Sequence, residues 1–364
     1  MAIKKIGIAG TRGIPAVYGG FETFAEELSI RLAKNNYKVT VYCDKGTYLQ
    51  RDFHGVKLSF MPLRKSSNQV LYFFLSLYRG LKENDILIVT STGASYFYWI
   101  NFFFKKIIIT NSDGIESLRA KWSFFTKLYL YHSQYFASKW SDIIVTDSKG
   151  IENYWVLNYP KSVRLMTIEY GAPIVNNIVS AEEKVKSLGL KSNDYYLVVA
   201  RLEPENNIKM MVSGFLKSGS QKKMVIIGSI SNEYYNKVLK KLQSERVIFL
   251  DAIYEKELLQ AARLHAFAYL HGHSVGGTNP SLLEAMGCGN ICICHDNIFN
   301  REVTNLKQLY FANDQELSVI INKIETLSSL QLQEYQGNAR ARVQNYYSWD
   351  RIAEDYVRLF QSYI

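Results

Sequence analysis

Short apolar runs alternate with amphipathic stretches along the first half of the chain. The apolar runs predict strands at residues 4–9, 39–44, 56–61, 86–90, 106–110 and 143–146. Residues 21 to 35 place Phe24, Leu28 and Leu32 on one face, which predicts an amphipathic helix between the first two strands. Strands that alternate with helices in this way are typical of a parallel sheet.

The second half repeats the same alternation. Strands are predicted at residues 195–200, 223–228, 247–250, 266–270 and 290–294, with helices at 207–218, 234–244, 255–262 and 280–286. The pattern therefore predicts an α/β chain with two Rossmann-like parallel-sheet domains that face each other across a cleft. We place the domains at residues 1–173 and 174–345, and expect a closing helix at 346–364 to pack back on the first domain.

Composition narrows the class of protein. The 364 residues suit two domains, and 48% hydrophobic with 21% charged residues indicates a globular chain with a large core. The net charge of +10 predicts an anionic partner, which could be a nucleic acid, a nucleotide phosphate or an anionic lipid.

The four cysteines are predicted to be core thiols rather than metal ligands. Cys288, Cys292 and Cys294 lie near His295, but their spacing matches no zinc pattern, and Cys43 is remote in sequence. No run of about 18 apolar residues occurs, and the first residues predict a strand rather than a cleavable signal. We therefore expect a cytoplasmic protein that does not span the membrane and has no metal site.

A glycine-rich loop before a predicted helix is the strongest local signal for a ligand. It runs from His271 to Gly289 (HGHSVGGTNPSLLEAMGCG), with Asn279 as a suitable cap and Pro280 in the first helical turn. Backbone N–H groups at the start of a helix favour a phosphate. The alternative is an ordinary strand–loop–helix turn.

Two segments of the first half follow predicted strands and carry polar side chains. The loop from Gly10 to Gly20 contains Arg12 and lacks the Gly-x-Gly-x-x-Gly spacing, so we expect it to close over a ligand. Asp113 and Glu116 follow the strand at 106–110 and are candidates for a base or for acceptor hydroxyl binding. They could equally be a turn aspartate and a helix-start glutamate.

Aromatic residues are concentrated at residues 72–78 and 96–104, the second stretch runs into Lys105 and Lys106, and residues 121–127 again mix rings with lysines. Such mixtures are typical of the membrane interface, where rings meet headgroups and lysines meet anionic lipid. They would also suit single-stranded nucleic acid, and packing in the core could account for many of the rings.

Four stretches together resemble a known family: GIAGTRGIPAVYGGFETFAEEL, TNSDGIESLRAKW, RLEPENNI and HGHSVGGTNPSLLEAMGCG. Over nearly its whole length the chain resembles the GT-B glycosyltransferases of retaining family 4, and more narrowly their rhamnosyltransferase-like subgroup. The resemblance implies a nucleoside diphosphate sugar as co-substrate, with dTDP-L-rhamnose the expected donor. It also implies a polyprenyl-diphosphate-linked saccharide acceptor of capsule or O-antigen assembly.

The resemblance also implies roles for individual residues. The diphosphate is expected to bind Arg201 and the backbone amides of Gly276, Gly277, Thr278 and Asn279, and the ribose to bind Glu284. Further donor contacts are expected from Gly19, Gly20, Asn206 and His273. The acceptor is expected to meet Arg12, Asp113, Glu116 and Arg119, with Arg201, Asp113 and Glu116 as the catalytic set.

Three positions depart from the family pattern. Gly276 stands where relatives carry the first of two glutamates, Asn206 where they carry a lysine, and Ser112 near the place of a histidine. The diphosphate therefore loses one cation, and the loop amides are expected to carry more of its charge. The missing carboxylate is compatible with a deoxy sugar, which lacks the 6-hydroxyl.

The sequence thus predicts a retaining, metal-independent hexosyltransferase that needs no cofactor beyond its nucleotide-sugar co-substrate. We expect it at the inner face of the cytoplasmic membrane, as a peripheral protein that binds no nucleic acid. Two alternatives remain open: a GT-B sugar-nucleotide epimerase, and a non-enzymatic protein that binds nucleic acid or lipid.

Overall fold

The computed structural model describes residues 5–17, 19–46, 50–112, 114, 123–159 and 163–363. The chain divides into two compact units. The first unit contains the chain up to Tyr170 together with the segment from Trp349 onward, and the second contains Gly171–Ser348. Each unit has its own parallel sheet and its own buried apolar core.

The first unit contains an eight-stranded sheet in the order β3-β4-β2-β1-β5-β6-β7-β8. The strands are β1 Lys5–Ala9, β2 Lys38–Cys43, β3 Asp52–Phe53, β4 Val56–Phe60, β5 Ile86–Val89, β6 Ile107–Ser112, β7 Ile143–Thr146 and β8 Leu165–Thr167. Only the short β3 pairs antiparallel, with β4. Every residue of β5 and β7 is buried, as expected where helices cover both faces of a parallel sheet.

Helices of the first unit connect these strands. They are α1 Gly20–Lys34, α2 Gln69–Glu83, a 3₁₀ helix Thr92–Ile100 that leads into α3 Asn101–Phe104, α4 Phe124–Trp140 and α5 Lys149–Asn158. Among the residues that the structure describes, no helix is both long and apolar enough to cross a bilayer.

The second unit contains a six-stranded, all-parallel sheet in the order β11-β10-β9-β12-β13-β14. Its strands are β9 Tyr195–Val199, β10 Lys223–Ile227, β11 Val247–Leu250, β12 Ala268–His271, β13 Cys292–His295 and β14 Leu309–Phe311. Its helices are α6 Ala181–Ser187, α7 Ile208–Lys217, α8 Lys256–Leu264, α9 Pro280–Gly287, α10 Ile298–Thr304, α11 Asp314–Glu325 and α12 Ser329–Tyr346. The segment predicted to be helical at 234–244 is helical in the structure, but in an irregular form, since a π-helical turn at Tyr235–Leu239 runs into a 3₁₀ turn at Lys240–Leu242.

The strand order reverses at β9. From β9 the chain builds β10 and β11 on one side, then returns to place β12 on the other side of β9. The loops that follow β9 and β12 therefore leave the same edge of the sheet in opposite directions. In open α/β sheets this switch point is where ligands bind.

The last helix, α13 at Trp349–Gln361, belongs to the first unit. Its Tyr356 hydroxyl accepts a hydrogen bond of 2.9 Å from the Asn111 amide near the end of β6, and Tyr170 donates to the other end of that amide at 3.2 Å. All three side chains are buried. The C-terminal helix thus completes a polar network next to the carboxyl end of β6.

This network predicts a measurable loss on removing one hydroxyl. Tyr356→Phe leaves the buried Asn111 N–H without its acceptor, so the free energy of unfolding should fall by about 1–3 kcal/mol. The matched control is Tyr363→Phe, whose hydroxyl bonds the Asp142 carbonyl at the surface, where water can replace it. Guanidinium unfolding of the two variants measures the difference, and equal midpoints would contradict the assigned network.

Candidate functional site

The loops after β9 and β12 are joined by direct hydrogen bonds at the switch point. The Asn207 side chain donates to the Gly272 carbonyl at 2.8 Å. Ser274 donates to the Glu205 carbonyl through both its backbone N–H, at 3.0 Å, and its hydroxyl, at 2.9 Å. These bonds hold the segment 200–207 against the segment 272–279.

Gly272 is required by the closeness of the two backbones. A Cβ at this position would lie 2.2 Å from the Asn206 carbonyl oxygen, and no shift of a flexible side chain could relieve that clash. Any other residue would therefore push the two loops apart.

Asn206 uses both ends of its amide inside the protein. Its Nδ2 donates to the Arg201 carbonyl at 2.7 Å, and its Oδ1 pairs with Nδ1 of His273 at 2.8 Å. The His273 carbonyl in turn accepts from the Asn297 and Asn300 amides. The asparagine that stands in place of the expected lysine thus orients the loop, and direct donor contacts by Asn206 and His273 stay predictions.

Helix α9 begins where the loop after β12 ends. The Asn279 side chain caps it by accepting from the Ser281 N–H at 3.0 Å, and Pro280 occupies the first turn. Gly276 has a φ of +121°, a conformation that disfavours any residue with a Cβ. The sequence therefore delivers a capped helix N-terminus, the positive end of the helix dipole, to the switch point.

Arg201 is the cation of this loop that remains available. Its side chain is 56% exposed, and its guanidinium lies 3.7 Å from the Glu203 carboxylate. Such a surface pair is weak because water screens it, so an incoming anion can displace it.

Glu284 lies on α9 and forms an ion pair with a buried residue that the sequence analysis did not identify. Its Oε2 is 2.6 Å from Nη2 of Arg263, in the last turn of α8. The arginine side chain is 2% exposed, whereas that of Glu284 is 30% exposed. Arg263 therefore cannot reach a ligand in solvent, but Glu284 can.

In the first unit, two carboxylates of α1 anchor the loop that contains Arg12. Glu22 accepts the Arg12 backbone N–H at 2.9 Å, and Glu26 accepts the Ala16 backbone N–H at 2.6 Å. Both carboxylates are buried. The loop after β1 is therefore fixed to the start of α1, where Gly19 occupies the N-cap position and Gly20 the first turn.

The acceptor residues predicted after β6 lie mostly outside the described residues. This applies to Asp113, Glu116 and Arg119. Ser112, at the end of β6, accepts a hydrogen bond of 3.1 Å from the Trp155 indole. The acceptor and catalytic roles of these residues, and the approach of Gly19 and Gly20 to the donor, stay predictions.

The four cysteines are free thiols inside the two units, as predicted. Burial raises the pKa of Cys43 to about 12 and that of Cys288 to about 11, and it also raises the pKa of Cys292 and Cys294. Within the described ranges no three His, Cys, Asp or Glu side chains group closely enough to hold a metal ion.

Comparison with known proteins gives the same two-part division. Residues 180–344 match the family described as glycosyl transferases group 1, and residues 3–173 match the domain of unknown function DUF1972. No curated protein matches the chain significantly.

Solved structures confirm the predicted GT-B fold. The chain is similar to a sucrose-phosphate synthase from Thermosynechococcus elongatus, at 16% identity over 99% of this chain and 98% of that one, with a TM-score of 0.80. It is similar to Anabaena HepE solved with UDP-glucose, at 15% identity over 99% and 100% of the two chains, with a TM-score of 0.78. It is also similar to a glycosyltransferase from Rickettsia africae, at 15% identity over 100% and 99%, with a TM-score of 0.75.

The buried His271 at the end of β12 predicts a dependence of stability on pH. Burial lowers its pKa well below the ordinary value, and His273 and His295 lower it further. The unfolded chain therefore binds the proton at a higher pH than the folded chain. The free energy of unfolding should be unaffected by this group above about pH 6.5 and fall below it, by up to about 1.4 kcal/mol per pH unit.

The test is guanidinium unfolding at pH 5, 6 and 7. His271→Leu should flatten the fall between pH 6.5 and 5, whereas the exposed His132→Leu on α4 should leave it unchanged. Equal slopes for the wild type and His271→Leu would contradict the assignment.

Proposed function

We propose that this chain, which has the GT-B fold and matches the glycosyl transferases group 1 family over residues 180–344, transfers a hexose from a nucleoside diphosphate to a lipid-linked saccharide. The proposed donor is dTDP-L-rhamnose. The proposed acceptor is a polyprenyl-diphosphate-linked saccharide of bacterial surface polysaccharide synthesis.

One observation carries the proposal: the loop with the exposed Arg201 is hydrogen-bonded to the loop that leads into the capped helix α9, which carries Glu284, at the switch point of the second sheet. The N-terminus of α9 and Arg201 supply positive charge for a diphosphate, and Glu284 supplies an acceptor for ribose hydroxyls. HepE, which shares the fold, was solved with UDP-glucose. That supports a nucleotide sugar as the ligand of this unit.

In the proposed reaction the bond between the anomeric carbon and the diphosphate breaks as the acceptor oxygen attacks. Negative charge grows on the leaving diphosphate, and Arg201 with the α9 amides stabilises it without a metal ion. Retention follows if the acceptor attacks from the face that the diphosphate leaves, which requires no protein nucleophile. Gly276 offers no side chain to the sugar, and this supports a 6-deoxy sugar with fewer polar groups to satisfy.

A donor screen tests the choice of nucleotide and sugar. A ligand that binds only the folded protein raises its apparent stability by mass action, by about 2.7 kcal/mol at a hundred times its Kd. We expect dTDP-L-rhamnose to raise the melting temperature more than UDP-glucose or GDP-mannose at equal concentration. A larger shift with either of the other two would replace the rhamnose assignment and leave the transferase assignment intact.

Removal of the positive charge of Arg201 should abolish most of the glycosyl transfer activity. Arg201→Ala should lower turnover about a hundredfold, because charge on the departing diphosphate loses its side-chain partner. The matched control is Lys209→Ala, an exposed cation on α7 that should leave turnover within about twofold. Turnover of Arg201→Ala within a few-fold of the wild type would contradict the assigned role.

The product distinguishes the remaining reactions. NMR of the product anomer should show retention of the donor configuration. A changed sugar nucleotide formed without any acceptor would instead indicate an epimerase.

The proposed membrane contact is supported by a helix whose apolar side faces outward. Helix α4 buries Ser133, Gln134, Ala137 and Ser138. Its exposed residues include the polar His132 and Lys139, but most are apolar or aromatic: Phe124 at 74%, Phe125 at 80%, Leu128 at 44%, Tyr131 at 53% and Tyr135 at 45%. A surface helix normally has the reverse pattern. An outward apolar side suits a solvent that is itself apolar.

The short α3 adds aromatic and basic groups to the same surface. Phe102 and Phe103 are 85% and 77% exposed, and a groove is lined by Trp99, both phenylalanines, Lys105 and Lys139. Rings beside lysines match the boundary where acyl chains meet anionic headgroups. We propose that this surface contacts anionic lipid at the inner face of the cytoplasmic membrane, where a lipid-linked acceptor would be reached.

Vesicle binding tests the surface. Phe102→Ser with Phe103→Ser should weaken binding to phosphatidylglycerol vesicles by at least about tenfold, because two rings leave the interface. The control is Val319→Ser with Leu330→Ser, two residues of the second unit that are 58% and 77% exposed. Equal loss of binding in both double variants, or none in either, would overturn the assignment of this surface.

A further inference from the structure

Arg263 is a charged side chain buried beneath the helix that carries Glu284. It is 2% exposed. A guanidinium stays protonated in proteins, and taking it out of water costs several kcal/mol unless an anion pairs with it. Burial of this kind therefore needs a compensating partner.

Within the described part of the chain, Glu284 is the carboxylate that pairs with Arg263. Nη2 of the arginine lies 2.6 Å from Oε2 of the glutamate, which is an ion-pair contact without the angle of a hydrogen bond, and Nε has no hydrogen-bond acceptor. The main chain of Arg263 is also fixed, since its carbonyl accepts the Asn290 amide at 2.7 Å and the Ala266 N–H at 3.1 Å. The main chain of Arg263 is thus fixed, and its buried guanidinium pairs with the partly exposed Glu284 carboxylate.

The ion pair with Arg263 restricts the orientation of the Glu284 carboxylate before a ligand binds. A free surface glutamate loses rotamer entropy when a ligand immobilises it. Here the arginine holds one carboxylate oxygen before any ligand arrives, which lowers the cost of binding. It also cancels a negative charge on the helix whose N-terminus is proposed to receive a diphosphate.

We infer that Arg263 is a positioning residue for ribose recognition, acting through Glu284 and never touching the ligand. This inference rests on the proposed nucleotide-sugar function, which already assigns Glu284 to the ribose hydroxyls. The oxygen that Arg263 fixes sets the orientation of the carboxylate, and the remaining oxygen accepts from a hydroxyl.

The test compares ligands that differ only in those hydroxyls. Calorimetry is run with UDP against 2′,3′-dideoxy-UDP, and with dTDP against 3′-deoxy-dTDP, so that either base preference is covered. The wild type should bind the hydroxylated member of a pair about tenfold more tightly. Arg263→Met and Glu284→Gln should each bring that ratio close to one.

A loss of folding alone would weaken both members of a pair equally and keep the ratio, so the ratio separates positioning from general damage. Arg263→Lys keeps the charge but not the planar fork, and should give an intermediate ratio. The double variant Arg263→Met with Glu284→Gln removes both charges, so it should recover thermal stability relative to Arg263→Met but not the ratio.

Two results would count against different claims. If the wild type bound neither pair of nucleotides, the proposed function itself would fail. If it discriminated the hydroxyls and both Arg263→Met and Arg263→Lys kept that discrimination, the role of Arg263 would be overturned while the proposed function stood.

Discussion

The backbone contact between Gly272 and Asn206 is the constraint on which the candidate site depends. With no room for a Cβ, the two loops that diverge from β9 and β12 can approach until their side chains and main chains bond. That approach brings the residues after Arg201 against those before α9. The strand order places both loops at the same edge of the sheet. The contact between Gly272 and Asn206 then holds the two loops together as one surface for a ligand.

The charged and polar side chains near that contact determine the electrostatic field at the candidate site. A neutral amide, Asn206, occupies the position at which the sequence resemblance led us to expect a lysine, and both ends of this amide bond to the two loops themselves. Glu284 is neutralised from beneath by Arg263. The positive field presented to an anion is then that of the α9 N-terminus and the exposed Arg201 guanidinium, which is opposed by the Glu203 carboxylate 3.7 Å away.

The sequence predicted the strands and the two-sheet organisation well because parallel strands buried on both faces appear as short apolar runs. It located the loop before α9 from glycines and a cap, which are local signals. The sequence did not predict a role for Arg263, because its partner lies on another helix and α8 has an ordinary amphipathic pattern. The sequence also carried no signal for the role of Glu22 and Glu26, because each binds a backbone N–H of a loop ten residues earlier in the chain.

Helix α4 shows a different limit of prediction from sequence. Its buried residues are three polar residues and an alanine, whereas most of its aromatic rings are exposed or only partly buried, so the apolar pattern alone would predict the opposite orientation. Composition near lysines suggested an interface, but only the packing shows which side faces outward.

The inward position of the thiols has a practical consequence. Cys43, Cys288, Cys292 and Cys294 are buried and stay protonated at neutral pH, whereas maleimides react with an accessible thiolate. A cysteine introduced at an exposed position would then be the preferred point of attachment on the native chain. Paired spectroscopic labels on the two units could report the distance between them in solution, without first replacing the native cysteines.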